Sequence, residues 1–423
     1  MKRFWLVLLT LGLVMAFSTS VFAADVKFTG SFYAAGMYLD NTSFMGNGSE
    51  KPSTAFYYQR MRIQAEFIAT PALKLVTRFD AMERMWGHVR STVPLVTAPD
   101  VDSYGTRAEN ENIAFDYAYV WYASKIGIFE VGIMEDGVWG TVFGDNSEPE
   151  GKIKYTFIKM PFIAGLQIVK FNEFSDNAVN ASVYSDRDVD KYQGFFIYNW
   201  KGGQTGLLCM FINNRSLKPN FWPAVASSYT QQVYGAQPFV KAKFGPVAVE
   251  AEAWYLGGEA VKWEDDAPII PPPAPLVTTQ DTDLSAWSVY VNAVADFSMF
   301  YFGGTFAYMS GDDPSTTDKI EGGPGTVNGG RDWNPCLIMF NWDRNYWAGA
   351  MAGYGVGISR TADSGVMTNA YFGQLKAGVR PISDLDIALS VAYAKADKLP
   401  TGYSEKDYGW EVDVTATYKI TNN

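Results

Sequence analysis

The 423-residue chain is 48% hydrophobic and 16% aromatic, yet its mean hydropathy is only -0.08. Its 34 Lys and Arg stand against 45 Asp and Glu, a net charge of -11 that argues against nucleic acid as a partner. Beyond the N-terminal leader no apolar run approaches the roughly 18 to 20 residues of a membrane-spanning helix, which excludes a helical membrane protein.

The leader comes first. Lys2 and Arg3 precede an apolar run from Phe4 to Phe17, and Val21-Phe22-Ala23 fits a small-residue cleavage site, so residues 1–23 read as a secretory signal peptide. Cleavage there leaves a single unit, residues 24–423, with 32 basic and 45 acidic side chains and a net charge of -13. Export also bears on the two cysteines, Cys209 in a predicted strand and Cys336 in a long loop, which lie far apart and make a weak disulfide signal.

From there the dominant pattern is period-two alternation, plainest over Ala55 to Thr70. Tyr57, Met61, Ile63, Ala65 and Phe67 take one face; Arg60, Arg62, Gln64 and Glu66 take the other. Leu73 to Met85 continues it, with Leu75, Phe79 and Ala81 opposite Lys74, Arg78, Asp80 and Arg84. The pattern recurs at Ile113, Phe115, Tyr117, Tyr119 and Trp121, which are expected to share a face. Later strands repeat it, as where Trp287, Val289, Val291 and Ala293 oppose Ser288 and Asn292, or Trp410, Val412 and Val414 oppose Glu411 and Asp413.

Short turns are expected near Thr70–Ala72, Ser124–Ile126, Pro161–Gly165, Lys201–Gln204, Gly245-Pro246, Ser298-Met299 and Arg380–Leu385. Between them lie long polar segments near 40–54, 87–111, 135–151, 174–189, 214–230, 257–283, 311–368 and 397–408. Short and long connections in alternation predict an all-β fold: a transmembrane antiparallel up-and-down β-barrel of about 16 strands with long external loops. Within 311–368, the apolar piece Cys336–Phe340 either packs into the barrel mouth or adds a strand pair; Pro268–Pro275 reads as extended loop. The end, Lys419-Ile420-Thr421-Asn422-Asn423, reads as the start of a turn, so the expectation is a chain cut before a last hairpin, with 18 strands in the complete protein.

Leader, alternating strands, long loops and aromatic-rich segments together resemble Gram-negative outer-membrane porins. Phe56-Tyr57-Tyr58-Gln59-Arg60 with Arg78-Phe79-Asp80 is similar to porins of sulfate- and metal-reducing bacteria. The resemblance covers the mature chain, which departs from it in lacking an aromatic last residue. It implies passive diffusion of small polar solutes and ions, contact with outer-membrane lipid, and a homotrimer. It also implies a loop folded into the lumen, usually the third long one, here 135–151. That loop carries Glu135, Asp136, Asp145, Glu148 and Glu150 around Gly137-Val138-Trp139-Gly140 and Phe143-Gly144, and resembles acidic, glycine-containing constriction loops.

The expected channel lining is therefore Arg60, Arg62, Arg78, Asp80 and Arg84, with loop carboxylates facing guanidinium groups across a narrow passage. The alternative is that the arginines pair with Asp80, Glu66 and neighbouring wall carboxylates while the loop stays outside. Two other functional readings stay open: a substrate-specific channel, and a non-conducting structural or adhesive barrel plugged by 257–283 and 311–368.

Catalysis is not expected, because general-base mechanisms lean on histidine and the one histidine, His88, sits in a loop without a nucleophile motif. Asp312, Asp313, Asp318 and Glu321, like Glu264, Asp265 and Asp266, lack the glycine and spacing of a calcium loop and read as solvated acidic loops. Gly322-Gly323-Pro324-Gly325 is followed by no Gly-Lys-Ser/Thr and is no phosphate cradle. No cofactor or metal ligand set is expected.

Overall fold

The computed structural model describes residues 25–40, 53–86, 113–173, 187–216, 229–263, 280–323, 327–349 and 365–421. The leader, His88, Glu264 to Asp266, Pro268–Pro275 and the last two residues lie outside the described residues.

The strands are β1 (Asp25–Leu39), β2 (Thr54–Thr70), β3 (Leu73–Met85), β4 (Ile113–Ser124), β5 (Gly127–Asp136), β6 (Glu148–Lys159), β7 (Phe162–Asn172), β8 (Val189–Trp200) and β9 (Gly203–Asn214). They continue with β10 (Tyr229–Phe244), β11 (Val247–Trp263), β12 (Thr282–Asp296), β13 (Phe300–Met309), the two-residue β14 (Lys319–Ile320), β15 (Ala370–Ile382), β16 (Leu385–Ala396) and β17 (Asp407–Tyr418). A short helix, α1 (Trp342–Ala348), and a 3-10 turn at Val142–Gly144 complete the set.

All belong to one 17-stranded sheet, and apart from β14, which runs parallel beside β12, each strand is antiparallel to its neighbours in sequence order. The sixteen long strands of an up-and-down barrel are thus present, joined by tight turns at one end and long connections at the other, where the sequence places them. β1 and β17 share no ladder among the described residues, so the sheet is an open curl with a seam between them.

Alternation decides which face meets what. Outward positions expose large apolar groups: Phe115 is 68% exposed, Leu375 72% and Trp410 73%. A continuous apolar surface of this kind is unsuited to water and matches a hydrocarbon band, in which the ladders satisfy the backbone donors and acceptors. Inward positions of β2 to β8 are mostly charged or polar, with Val76, Met134 and Val169 among them, whereas those of β16 from Ala388 on are small: Ala388, Ser390, Ala392, Ala394 and Ala396.

Register shifts occur in several ladders, and those in β3 and β4 bear on the predicted lining. In β3 an extra residue lies between Ala81, opposite Met61, and Arg84, opposite Gln59, and Met82 there takes φ 55°. The inserted residue reverses the side-chain parity beyond it. Glu83 therefore turns inward to Arg60, while Arg84 joins Gln59 on the outer side and reaches the Met82 sulfur at 3.7 Å. This corrects the expectation that Arg84 shares a face with Arg78. In β4 the register shifts around Asp116, so Ile113 and Phe115 face out opposite Ala81 and Phe79, while Tyr117, opposite Arg78, starts an inward row with Tyr119 and Trp121. These five residues do not share one face.

Both cysteines are free thiols, Cys209 exposed and Cys336 buried.

Candidate pore constriction

The connection between β5 and β6 folds into the curl. Gly137 (φ 76°) and Gly140 (φ 67°) occupy the left-handed region, which glycine enters without steric cost. A Cβ on Gly140 would stand 2.5 Å from the Glu252 carboxylate, so the loop backbone lies almost against β11. Trp139 donates from Nε1 to the Gln237 carbonyl at 2.9 Å and packs edge-on against Phe239 of β10. Thr141 N–H donates to Glu252 at 2.6 Å, and Gln237 and Trp254 each donate to the other Glu252 oxygen at 2.7 Å. Phe143 stacks on Tyr290 of β12 with centroids 4.8 Å apart. A loop leaving β5 thus ends against β10 to β12.

Beneath it, Asp145 accepts the Trp139 N–H at 2.8 Å and closes the turn. Burial pushes its carboxyl up to about 7; the Trp139 hydrogen bond opposes the shift, and Glu252 and Asp332 add to it.

The long connection after β13 follows the same interior. Gly330 N–H donates to the Phe143 carbonyl at 2.7 Å, Asp332 N–H to the Asp145 carbonyl at 3.1 Å and Ser147 Oγ to the Asp332 carboxylate at 2.5 Å. Arg331 pairs with Glu148. Trp333 abuts Phe143, and with Cys336, Met339 and Phe340 it forms an interior core against Met309, Phe372, Ala392 and Ala394. The small inward residues of β16 make room for this segment. The undecided piece Cys336–Phe340 therefore packs inside the barrel, and β14 is the sole strand among the described residues of this connection.

Further on, Ile338 and Met339 N–H groups donate to the two Glu411 oxygens of β17 at 2.7 Å each, and α1 then carries Trp347 to Tyr58 of β2. Asn341 caps α1 through the Arg344 N–H at 2.7 Å. Asp343, on its first turn, has its carboxyl raised by burial, with Arg60 acting against the shift.

The two loops contact the inner wall from Phe195 of β8 round to β17 and reach Tyr58 of β2, and they leave the charged pairs on β2 to β4 partly open. There Arg62 forms a bidentate pair with Asp80, both bonds 2.7 Å, and Arg78 pairs with Asp116 at 2.6 Å while lying 3.5 Å over the Tyr117 ring. Arg60 reaches Glu83 at 3.4 Å and lies over Tyr33. Lys152 meets Asp136 at 3.1 Å, and Lys191 holds the second oxygen of the same carboxylate. Glu150 points inward beside them on β6, opposite Met134.

These contacts answer the two sequence alternatives in different halves. The third long loop lies inside. The arginines nevertheless pair with wall carboxylates: among the described residues no ion pair joins Arg60, Arg62 or Arg78 to Glu135, Asp136, Asp145, Glu148 or Glu150. Glu135 instead accepts from the Tyr117 hydroxyl at 3.1 Å, Asp136 belongs to the two lysines, Asp145 lies under its own loop and Glu148 faces Arg331. The carboxyl facing Arg60 from a loop is Asp343, which sequence reasoning missed. A signal existed, since Ile387 to Ala394 is apolar or small on both faces, and a strand so composed needs cover on both.

Compared with known proteins, the chain matches no family model and no curated protein. Among solved structures it is similar to the outer membrane channel DcaP of Acinetobacter baumannii, at 12% identity over 94% of this chain and 98% of that one, with a TM-score of 0.49. It is also similar to a loop L8 deletion mutant of OmpT, an outer membrane protein of Vibrio cholerae (9% identity, 94% and 99% covered, TM-score 0.46). A third is the anion-selective porin from Comamonas acidovorans (10% identity, 94% and 95% covered, TM-score 0.46). At these identities and scores the functional reading rests on the chain's own geometry.

Proposed function

We propose that this chain is a porin that lets small polar solutes and ions diffuse passively across a Gram-negative outer membrane, without cofactor or covalent step. The observation that carries the reading is the partly open inner wall of β2 to β4, where charged pairs such as Arg62–Asp80 and Arg78–Asp116 line the concave side of a sheet whose convex side is apolar. Such a wall keeps water, and the loops opposite narrow it without sealing the charges away.

Because each arginine of this wall has its own carboxylate, the field along the passage is weak in net sign, and selectivity is expected to be modest. The leader supports export with residues 1–23 removed, and the resemblance to porins of sulfate- and metal-reducing bacteria supports the outer-membrane reading and a homotrimer. A structure described as a trimer form of Vibrio cholerae OmpT is among those similar to the chain, at 9% identity.

A second reading, a barrel plugged by its loops, draws on the packed interior core around Trp333, Met339 and Phe340. Planar-bilayer recording on the purified full chain separates the two. Stepwise ohmic currents support the porin; a folded barrel without conductance supports the plug.

A further inference from the structure

Where the interior segment meets β17, three potential ligands converge. The Cys336 thiol, one Glu411 oxygen and one Asp413 oxygen all lie within 4.8 Å of one another. Cys336 is 4% exposed and Asp413 8%, while Glu411 is partly open to the interior. Buried carboxylates are ordinarily matched by a cation or by good hydrogen bonds. Neither Glu411 nor Asp413 has a Lys or Arg within ion-pair distance among the described residues.

Their hydrogen bonds differ. Glu411 takes the Ile338 and Met339 N–H groups, one per oxygen, leaving each oxygen a second lone pair. Asp413 has long contacts from Leu337 N–H at 3.4 Å and Ser390 Oγ at 3.5 Å, both outside the ordinary range, and its carboxyl lies within hydrogen-bond reach of Glu411. A nine-tenths buried carboxylate with no cation and no short contact from a backbone or hydroxyl donor therefore faces a second carboxylate and a thiol. Gln374 Nε2, 3.6 Å from the sulfur, is the remaining polar neighbour.

We propose that Cys336, Glu411 and Asp413 bind one zinc-class divalent cation inside the barrel, pinning the interior segment to β17. One thiolate and two carboxylates suit zinc in charge and ligand type, with metal to ligand distances of about 2.0 to 2.3 Å and a fourth position left for water. The thiol proton is released to solvent as the Zn–S bond forms. This site is independent of the diffusion reading, since a plugged barrel would carry it equally.

The test is equilibrium dialysis of the full-length folded protein against zinc alone, with metal analysis, and a parallel titration with cadmium followed by its thiolate charge-transfer absorption. Wild type and Cys209→Ser are expected to bind one ion per chain, with the cadmium band present and protons released. Cys336→Ser is expected to lose the band, and Asp413→Asn to weaken zinc binding about tenfold or more. Heat-modifiable gel mobility checks that each variant folds; should Cys336→Ser fail it, the near-isosteric Asp413→Asn decides. Absence of zinc from folded wild-type protein, or undiminished binding in Asp413→Asn, overturns the site and leaves a shared proton as what neutralises the two carboxylates.

Discussion

Trp347 stacks on Tyr58 with ring centroids 4.4 Å apart and planes 26° from parallel, and so ties the helix inside the barrel to the second strand. Glu411, on the last strand, holds the same interior segment eight and nine residues earlier through the N–H groups of Met339 and Ile338. The segment therefore spans the seam between β1 and β17 from within. Trp347 is buried, and truncation of a buried tryptophan costs about 3 kcal/mol or more. Trp347→Ala is expected to lower the temperature at which the barrel loses its fast-migrating form on gels, and Trp347→Phe to recover much of the loss. An unchanged temperature in the alanine variant would show that the strap carries no load.

Gly330 tests the contact between the two interior loops. A Cβ there would lie 2.0 Å from the Asp145 carbonyl oxygen, a backbone atom that cannot swing away. Gly330→Ala is expected to separate the loops and raise single-channel conductance while leaving strand content unchanged by circular dichroism. Gly373→Ala is the control, since an added Cβ there meets nothing within 4 Å. Equal conductance in the two variants would count against a constriction built by both loops.

Ion preference follows from the paired wall. Arg62→Gln leaves Asp80 uncompensated, and one unit charge about 4 Å from a passing ion in a water-like medium is worth about 1 kcal/mol, roughly a fivefold change in permeability ratio. Reversal potentials under a salt gradient are expected to move toward cations in Arg62→Gln and to return in Arg62→Gln/Asp80→Asn. Arg84→Gln, on the outer side of the bulge, is expected to change nothing. A shift in that variant as large as in Arg62→Gln would place the bulge wrongly.

Asp145 makes loop seating depend on pH. Its carboxyl sits at about 7 in the folded loop against an ordinary value of 3.8. Below the lower value both seated and released loops hold the proton, and pH has no effect. Between the two, the seated loop keeps a proton that a released loop gives up, so seating weakens as pH rises and levels off above the higher value. Conductance fluctuations are expected to grow from about pH 4 to 7, the window set by these two values, and to be flat in Asp145→Asn, whose side chain still accepts the Trp139 N–H. The same pH response in the variant would assign it to another group.

The strand number, the order of turns and loops and the apolar outer face were all legible in the sequence, because alternation reports directly on a wall with two solvents. The third loop's entry came from family resemblance, and its glycines at 137 and 140 have a local reason in their positive φ. What alternation cannot report is an inserted residue. Met82 and Asp116 carry no mark of a bulge, yet each moves a run of side chains to the other face, and Arg84 with them. Asp80, which Arg62 takes, was legible as a partner, but those of Arg60 were not, since Glu83 faces it only after the bulge, and Asp343 arrives from far along the chain.

The ion pairs of Arg62 and Arg78 are made between neighbouring strands of β2 to β4, whereas the loops are anchored through Glu252, Tyr290 and Glu411 on other strands. Loop rearrangement therefore leaves Arg62 and Arg78 with their partners. Width and charge preference reside in separate parts of the molecule, so a lineage could retune how much passes by altering loops while preserving what passes in the strands.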